Sequence, residues 1–359
     1  MSTSNPKRPS GPGLIFGPGP EGWWDSERVS CPKVMRLNDG SWRMWYYGRD
    51  KTFDRMIGLP TGRVGLATSP DGINWERVAG PGVMGSVLDP HPDPKRFDSS
   101  HIGVNDVHYD NGLYWMWYFG GDQTVNNIRG FDVKGFPMRS GAAVSRDGIH
   151  WTRIEGPYNG ALLNHGKPGE FDAFMAAWPQ VIRWDDGSWR LYYHTLDPNE
   201  GYVMAWAESE DGLRWDKRGP LLGRGPKGRV DDYGLATRQI IKINGQWALF
   251  YEGCQDVGTN PEVNRQIGLA VSDDGITWER VDGPNDNGSI IQQSPKGSGL
   301  WDFRLGCPWV VPMGDGSLRL YYIGSNERDS EGGSELSSTH QIGLAVSTGD
   351  ITKWERWTA

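Results

Sequence analysis

One short turn recurs five times along this chain, and that recurrence limits the fold more than anything else in the sequence, because a repeated unit must stack on its own copies. The motif is Ser-x-Asp-Gly-x-x-Trp, present as SPDGINW from Ser69, SRDGIHW from Ser145, SEDGLRW from Ser209 and SDDGITW from Ser272, with a degenerate copy, STGDITKW, from Ser347. Each copy sits between two alternating apolar and polar runs, such as VGLAT and ERV, which marks it as a hairpin turn. Its Asp supplies a side-chain acceptor and its Gly the positive φ that such turns require. Upstream of every copy lies a strand-like run carrying aromatics: WRMWYYG from Trp42, YWMWYFG from Tyr114, WRLYYHT from Trp189, WALFYEG from Trp247 and LRLYYIG from Leu318. Before these come polar turns and a further apolar run, PKVMRL, NDVHY, PQVIRW, RQIIKI and PWVVPM.

The unit is therefore three or four short strands of roughly 60 to 75 residues in all. A four-stranded twisted sheet cannot bury both faces alone, and five such sheets arranged radially around a channel solve the problem. The sequence predicts an all-β protein, a five-bladed β-propeller forming one domain, with a pocket on the central axis. The propeller spans residues 21–359 behind a flexible lead-in over 1–20, with blades at roughly 21–90, 91–165, 166–225, 226–295 and 296–359. A β-sandwich is the rival architecture, but a Greek key does not require near-identical units.

Composition narrows the partners. A net charge of -8 and a pI near 5.4 argue against nucleic acid and against an anionic membrane surface, leaving a small-molecule or oligosaccharide ligand. Cys31, Cys254 and Cys307 are too few for a disulfide framework, and the start of the chain has no apolar signal-like run, so a cytoplasmic location is expected. No zinc-type His/Cys spacing, EF-hand loop or phosphate-cradling glycine motif occurs, so neither metal nor cofactor is expected. Oligomeric state is not legible.

Aligning the first strands of the five units exposes what breaks the symmetry. Each unit opens on an aromatic or apolar residue and an Asp: Trp24-Asp25, Phe97-Asp98, Phe171-Asp172, Val230-Asp231 and Trp301-Asp302. An acid present in every blade is expected to be structural. Three positions on come Arg28, His101, Met175 and Gly234, matched by Arg304 if blade five lacks one residue. Further along, the exceptions are Asn105, Asp106, Trp178 and Arg238. At the end of the second strand, where Gly is the consensus, His194 and Glu252 stand out.

The opening aromatic-Asp, the x-P-x-V-I inner strand, the aromatic second strand and the G-L-A-x-S-x-D-G-x-x-W turn together resemble the five-bladed furanosidase superfamily, the arabinanase-, invertase- and levansucrase-like glycoside hydrolases. The resemblance runs from Trp23 to Trp354. It implies the propeller and a carbohydrate substrate, with catalysis by Asp in Asp-Pro pairs and a later Glu. Here the matching places hold Cys31-Pro32, Trp178-Pro179 and Ala236-Thr237-Arg238, so the expected acids are missing.

Three functions follow, in order. The first is a glycoside hydrolase-like enzyme, of the inverting kind, in which Asp106 is the base and Glu252 the acid across the axis and Trp178, Trp23 or Trp309 stacks on the sugar. The second is a lyase, isomerase or cyclase, or a plain binder, for an anionic small molecule held by Arg28, His101, Arg238 and Arg304 with Lys33 nearby, His101 or His194 moving the proton. The third is a lectin-like or scaffold propeller. Asn105 joins the binding set. Cys31 and Cys307, equivalent in blades one and five, are expected to lie close together. Long insertions at Gly121–Pro137 and Asn326–Thr339 are expected to wall the pocket or form a protein contact.

Overall fold

The alternating runs form antiparallel strands, and the computed structural model describes them over residues 11–50, 62–128, 131–184, 186–197, 201–256, 263–325 and 339–358. Strand β1 (Leu14–Phe16) comes first. Blade one is β2 (Arg28–Arg36), β3 (Trp42–Arg49), β4 (Arg63–Ser69) and β5 (Glu76–Val78). Blade two begins with β6 (His101–Asp110) and β7 (Leu113–Gly121), inserts a hairpin, β8 (Val125–Ile128) and β9 (Phe131–Lys134), and ends with β10 (Arg139–Ser145) and β11 (Thr152–Arg153). Blade three is β12 (Ala177–Arg183), β13 (Trp189–Asp197), β14 (Gly201–Ser209) and β15 (Asp216–Leu222). Blade four is β16 (Leu235–Ile243), β17 (Gln246–Asp256), β18 (Val263–Ser272) and β19 (Glu279–Val281). Blade five is β20 (Arg304–Pro312), β21 (Leu318–Ser325), β22 (His340–Ser347) and β23 (Glu355–Arg356).

The first strands β2, β6, β12, β16 and β20 touch in a closed cycle, β20 returning to β2, so the sheets form a five-bladed propeller. The expected lead-in is a strand over part of its length. β1 pairs with β22 and adds a piece of the N-terminus to the last blade, tying the start of the ring to its end. Residues 1–10, and most of the blade-five insertion at 326–338, lie outside the described residues.

Repetition explains the packing. In each blade the opening Asp accepts a hydrogen bond from a second-strand tyrosine, for example Tyr46 Oη to Asp25 at 3.0 Å and Tyr193 Oη to Asp172 at 2.9 Å. It also pairs with a fourth-strand cation: Arg77, Arg153, Lys217, Arg280 or Arg356. These five acids are structural, and each pairing stays within its own blade. The Asp-Gly turn works twice. Asp71 Oδ1 accepts the N–H groups of Ile73 and Asn74, closing the hairpin, while the Gly72 carbonyl accepts Tyr321 Oη of blade five at 2.9 Å. Gly148 and Gly275 take Trp45 and Tyr192 of the preceding blade in the same way. One motif thus both folds a blade and docks it on its neighbour.

A second set of contacts holds the inner strands together. Gln180 bonds both the N–H and the C=O of Ile240, Gln239 does the same to Val310, Trp309 Nε1 donates to the Val34 carbonyl at 2.8 Å, and Asp106 Oδ2 accepts the Val181 N–H at 3.1 Å.

Candidate functional site on the propeller axis

Near its start every inner strand breaks register, between Ser30 and Lys33, Val104 and Asp106, Ala177 and Gln180, Leu235 and Arg238, and Gly306 and Trp309. These are β-bulges, which bend a strand and re-aim a side chain. The two breaks beginning at Ser30 and Gly306 show that blade five has lost a residue before Arg304, so Arg304 is the counterpart of Arg28. Cys31, Trp178 and Cys307 adopt φ of 50°, 53° and 47°, the left-handed region that side-chain-bearing residues avoid. Such strain costs on the order of 1–3 kcal/mol per residue and gathers at functional sites.

Blades two and three supply an aromatic side. Trp178 stacks on His194, with ring centres 4.3 Å apart and planes 15° apart, and on its other neighbour Phe119 at 4.4 Å. Tyr202 meets the edge of His194, and Phe136 and Phe174 pack together 5.4 Å apart in the same apolar cluster. Trp178, Tyr202, Phe136 and Phe174 are only partly buried, so this cluster opens toward solvent. Trp23, by contrast, is 41% exposed on the turn ahead of blade one.

Blades four, five and one supply a cationic side. Arg28 lies opposite Arg49 in register, and Arg304 opposite Ser325, which in turn faces His340. Ser30 Oγ is 3.2 Å from His340 Nδ1. Burial, then the charges of Arg28, Arg49, Arg265 and Arg304, hold His340 well below the ordinary histidine value, so its imidazole is neutral. Tyr47 is buried in the field of Arg49, Arg28 and Cys31, and its hydroxyl has no hydrogen-bond partner among the described residues.

Arg238 joins the two sides. It is fully buried, donates from Nη2 to the Trp178 carbonyl at 3.1 Å, and places Nη1 3.4 Å from His194 Nδ1. Among the described residues it forms no ion pair, and burial brings its guanidinium down to about 9. The same burial, with Arg238 and Arg265 nearby, keeps His194 neutral. Lys33 is also buried, its Nζ 4.5 Å over the Trp309 ring and, among the described residues, without a hydrogen-bond partner. The guanidinium Nε of Arg304 has none either. Neither Arg238 nor Arg304 is bonded to a blade-opening Asp, since those acids are engaged by the fourth-strand cations.

Several expected roles change. Asp106 and Glu252, the expected base and acid, are both buried and bonded to backbone amides of the next blade. Asp106 receives the Val181 amide and lies 3.7 Å from His108. Glu252 Oε2 accepts Thr237 Oγ1 at 2.6 Å and the Cys307 N–H at 3.0 Å, while Oε1 pairs with Arg265. Asn105 donates to the carbonyls of Trp178 and Pro179, steadying the bulge, while its buried Oδ1 has no hydrogen-bond partner among the described residues. His101 places Nε2 3.0 Å from the Gly135 carbonyl of the inserted segment. His194 and Glu252 do not replace the consensus glycine: Thr195 and Gly253 hold that register, and the two titratable residues share the preceding position with Tyr47, Phe119 and Ile323. A shift of one residue in a strand turns a side chain to the other face.

Sequence reasoning missed Tyr47, Arg49, Tyr202, Arg265 and His340. Arg49 follows the second-strand glycine and His340 opens β22 after an insertion, so the alignment of first strands passed over both. A cavity of about 320 Å³ lies elsewhere, where the β12–β13 and β16–β17 turns approach each other, lined by Trp184, Arg190, Lys242 and Trp247. Among the described residues no three His, Cys, Asp or Glu side chains group as a metal site would need.

The fold and its axis define a five-bladed propeller of the kind found in glycoside hydrolases, and solved structures of that kind cover nearly the whole chain. A glycosyl hydrolase from Bacteroides ovatus superposes with a TM-score of 0.63 at 18% identity, over 98% of this chain and 96% of that one. An N-acetylgalactosamine deacetylase from Flavonifractor plautii, in complex with blood group B trisaccharide, gives a TM-score of 0.63 at 17% identity, over 96% and 97%. The A type blood N-acetyl-alpha-D-galactosamine deacetylase of that organism is 22% identical over 91% of this chain, which spans 44% of its length. No family model matches. The chain belongs to the same family as the uncharacterized protein Rv1502 of Mycobacterium tuberculosis, 32% identical over 277 residues, 75% of this chain and 81% of that protein.

Proposed function

We propose that this propeller is a carbohydrate-active protein whose axis receives a sugar bearing an anionic group, a carboxylate or a phosphate. The carrying observation is the pairing of a partly exposed aromatic side, Trp178 and Tyr202, with buried cations that lack carboxylate partners among the described residues, Arg238 and Arg304. The apolar face of a pyranose matches an aromatic ring, and guanidinium forks match oxyanions. The names of the solved neighbours support a saccharide ligand, since one is a deacetylase holding a trisaccharide.

The same geometry favours a neutral histidine acting as a hydrogen-bond donor over cleavage by a carboxylate pair. His194 lies against Trp178 with Nδ1 facing the Arg238 guanidinium, so its neutral imidazole can polarise a substrate oxygen by donating a hydrogen bond from Nε2. That arrangement suits a lyase, isomerase or cyclase.

Calorimetric titration with a matched hexose, hexuronate and hexose phosphate tests this reading. Binding of an anionic sugar that weakens with salt, with the neutral hexose inert, is the expected result. Arg304→Gln should weaken that binding about 10- to 100-fold, the range of one charge-assisted hydrogen bond. Equal binding of neutral and anionic sugars would return the hydrolase reading to first place.

A further inference from the structure

The first and last blades meet at a pair of buried thiols that no step proposed above uses. Cys31 Sγ and Cys307 Sγ lie 3.0 Å apart although 276 residues separate them in sequence. Both sit on left-handed bulge residues followed by proline, so the backbone aims both side chains at the same point. Polar groups border the pair. Glu252 and Thr237 hold the Cys307 backbone N–H, and the Lys33 amine, two residues beyond Cys31, has no hydrogen-bond partner among the described residues.

We propose that Cys31 and Cys307 form a reversible, redox-sensitive latch that covalently closes the propeller at the junction of its first and last blades. Elsewhere that junction is held without covalent bonds: β1 on β22, Trp309 to the Val34 carbonyl, and Tyr321 to the Gly72 carbonyl. A disulfide needs the sulfurs at about 2.05 Å, so the strands must move together by about 1 Å. The contact between the two sulfurs, aided by the positive field of Lys33, lowers the Cys31 thiol, while burial raises Cys307. Cys31 is therefore the attacking group.

With hydrogen peroxide as the oxidant the chemistry balances in two steps. The Cys31 thiolate attacks one peroxide oxygen, breaking the O–O bond to give a sulfenic acid and hydroxide, which takes up the thiol proton as water. Cys307 sulfur then attacks Cys31 Sγ, the S–S bond forms, and the sulfenic oxygen leaves as a second water with the Cys307 proton. Two thiols lose two electrons and one peroxide gains them. The inference does not depend on what the axis binds.

The test treats the full-length protein with hydrogen peroxide, unfolds it in the presence of an alkylating reagent and maps the peptides by mass. The expected result is a Cys31–Cys307 linked peptide with Cys254 alkylated, fully reversed by dithiothreitol. The oxidised protein should melt about 5 °C higher, because the cross-link restricts a long loop of the unfolded chain. Cys31→Ser and, separately, Cys307→Ala should abolish both effects. Recovery of both cysteines as alkylated peptides, or of Cys31 as a sulfinic acid with Cys307 alkylated, would overturn the proposal. That mapping on the unaltered protein decides the matter even if either variant fails to fold.

Discussion

Three buried histidines define how single residues respond to acid. Burial lowers His101 from 6.5 to about 4, and it holds His194 and His340 well below the ordinary value. A histidine whose folded value lies below its unfolded one is bound by fewer protons in the folded state, so its contribution to stability is complete above pH 6.5 and is lost as the pH falls toward 4. For His101 alone this amounts to roughly 3 kcal/mol. Urea melts at pH 7.5 and 4.5 should therefore show a marked loss of stability at the lower pH. His101→Phe should reduce the loss, and an unchanged pH dependence in that variant would contradict the assignment. His101 and His194 were visible in the sequence because each interrupts a repeat. His340 was not, since its neighbours Arg28, Arg49, Arg265 and Arg304 come from three blades and only folding assembles them.

At the level of strands, the repeat made most of the architecture readable, because each turn motif closes a hairpin by local hydrogen bonds that its own residues dictate. Two features escaped. β1 is three residues, Leu14–Phe16, within a Gly- and Pro-rich stretch, and it becomes a strand only because β22 offers an edge. The bulges were equally hidden, whereas the register of His194 and Glu252 was legible: the runs WRLYYHT and WALFYEG put them one place before Thr195 and Gly253, which hold the glycine position. The inner-strand clasps give a prediction at this scale. Gln239→Leu would leave the Val310 N–H and C=O without partners inside the protein, at about 1–3 kcal/mol for each buried group. A fall in the denaturation midpoint of that size, with little change for the exposed Lys242→Ala, is expected. Equal stability of Gln239→Leu and the parent would show that the clasps do not hold the blades together.

Across the whole molecule, an acidic chain gathers cations where its blades converge. The net charge is -8, yet Lys33, Arg238 and Arg304 lie buried near the axis without an ion pair among the described residues. The two carboxylates among them, Asp106 and Glu252, are bonded to backbone amides of the next blade. The places where the sequence resemblance to furanosidase-like propellers leads one to expect catalytic acids hold Cys31, Trp178 and Ala236-Thr237-Arg238. What the structure adds is a second pole, the aromatic surface of Trp178, Tyr202, Phe136 and Phe174, facing a sector rich in arginine. This arrangement suggests that the axis recognises a sugar by its ring and by its charge.

A crystal structure of the protein soaked with a hexuronate or a hexose phosphate tests that claim most directly. The account predicts a sugar ring against Tyr202, beside Trp178, with its anionic group at Arg28, Arg304 and His340. A sugar lying between Asp106 and Glu252 with its acidic group in solvent would contradict it.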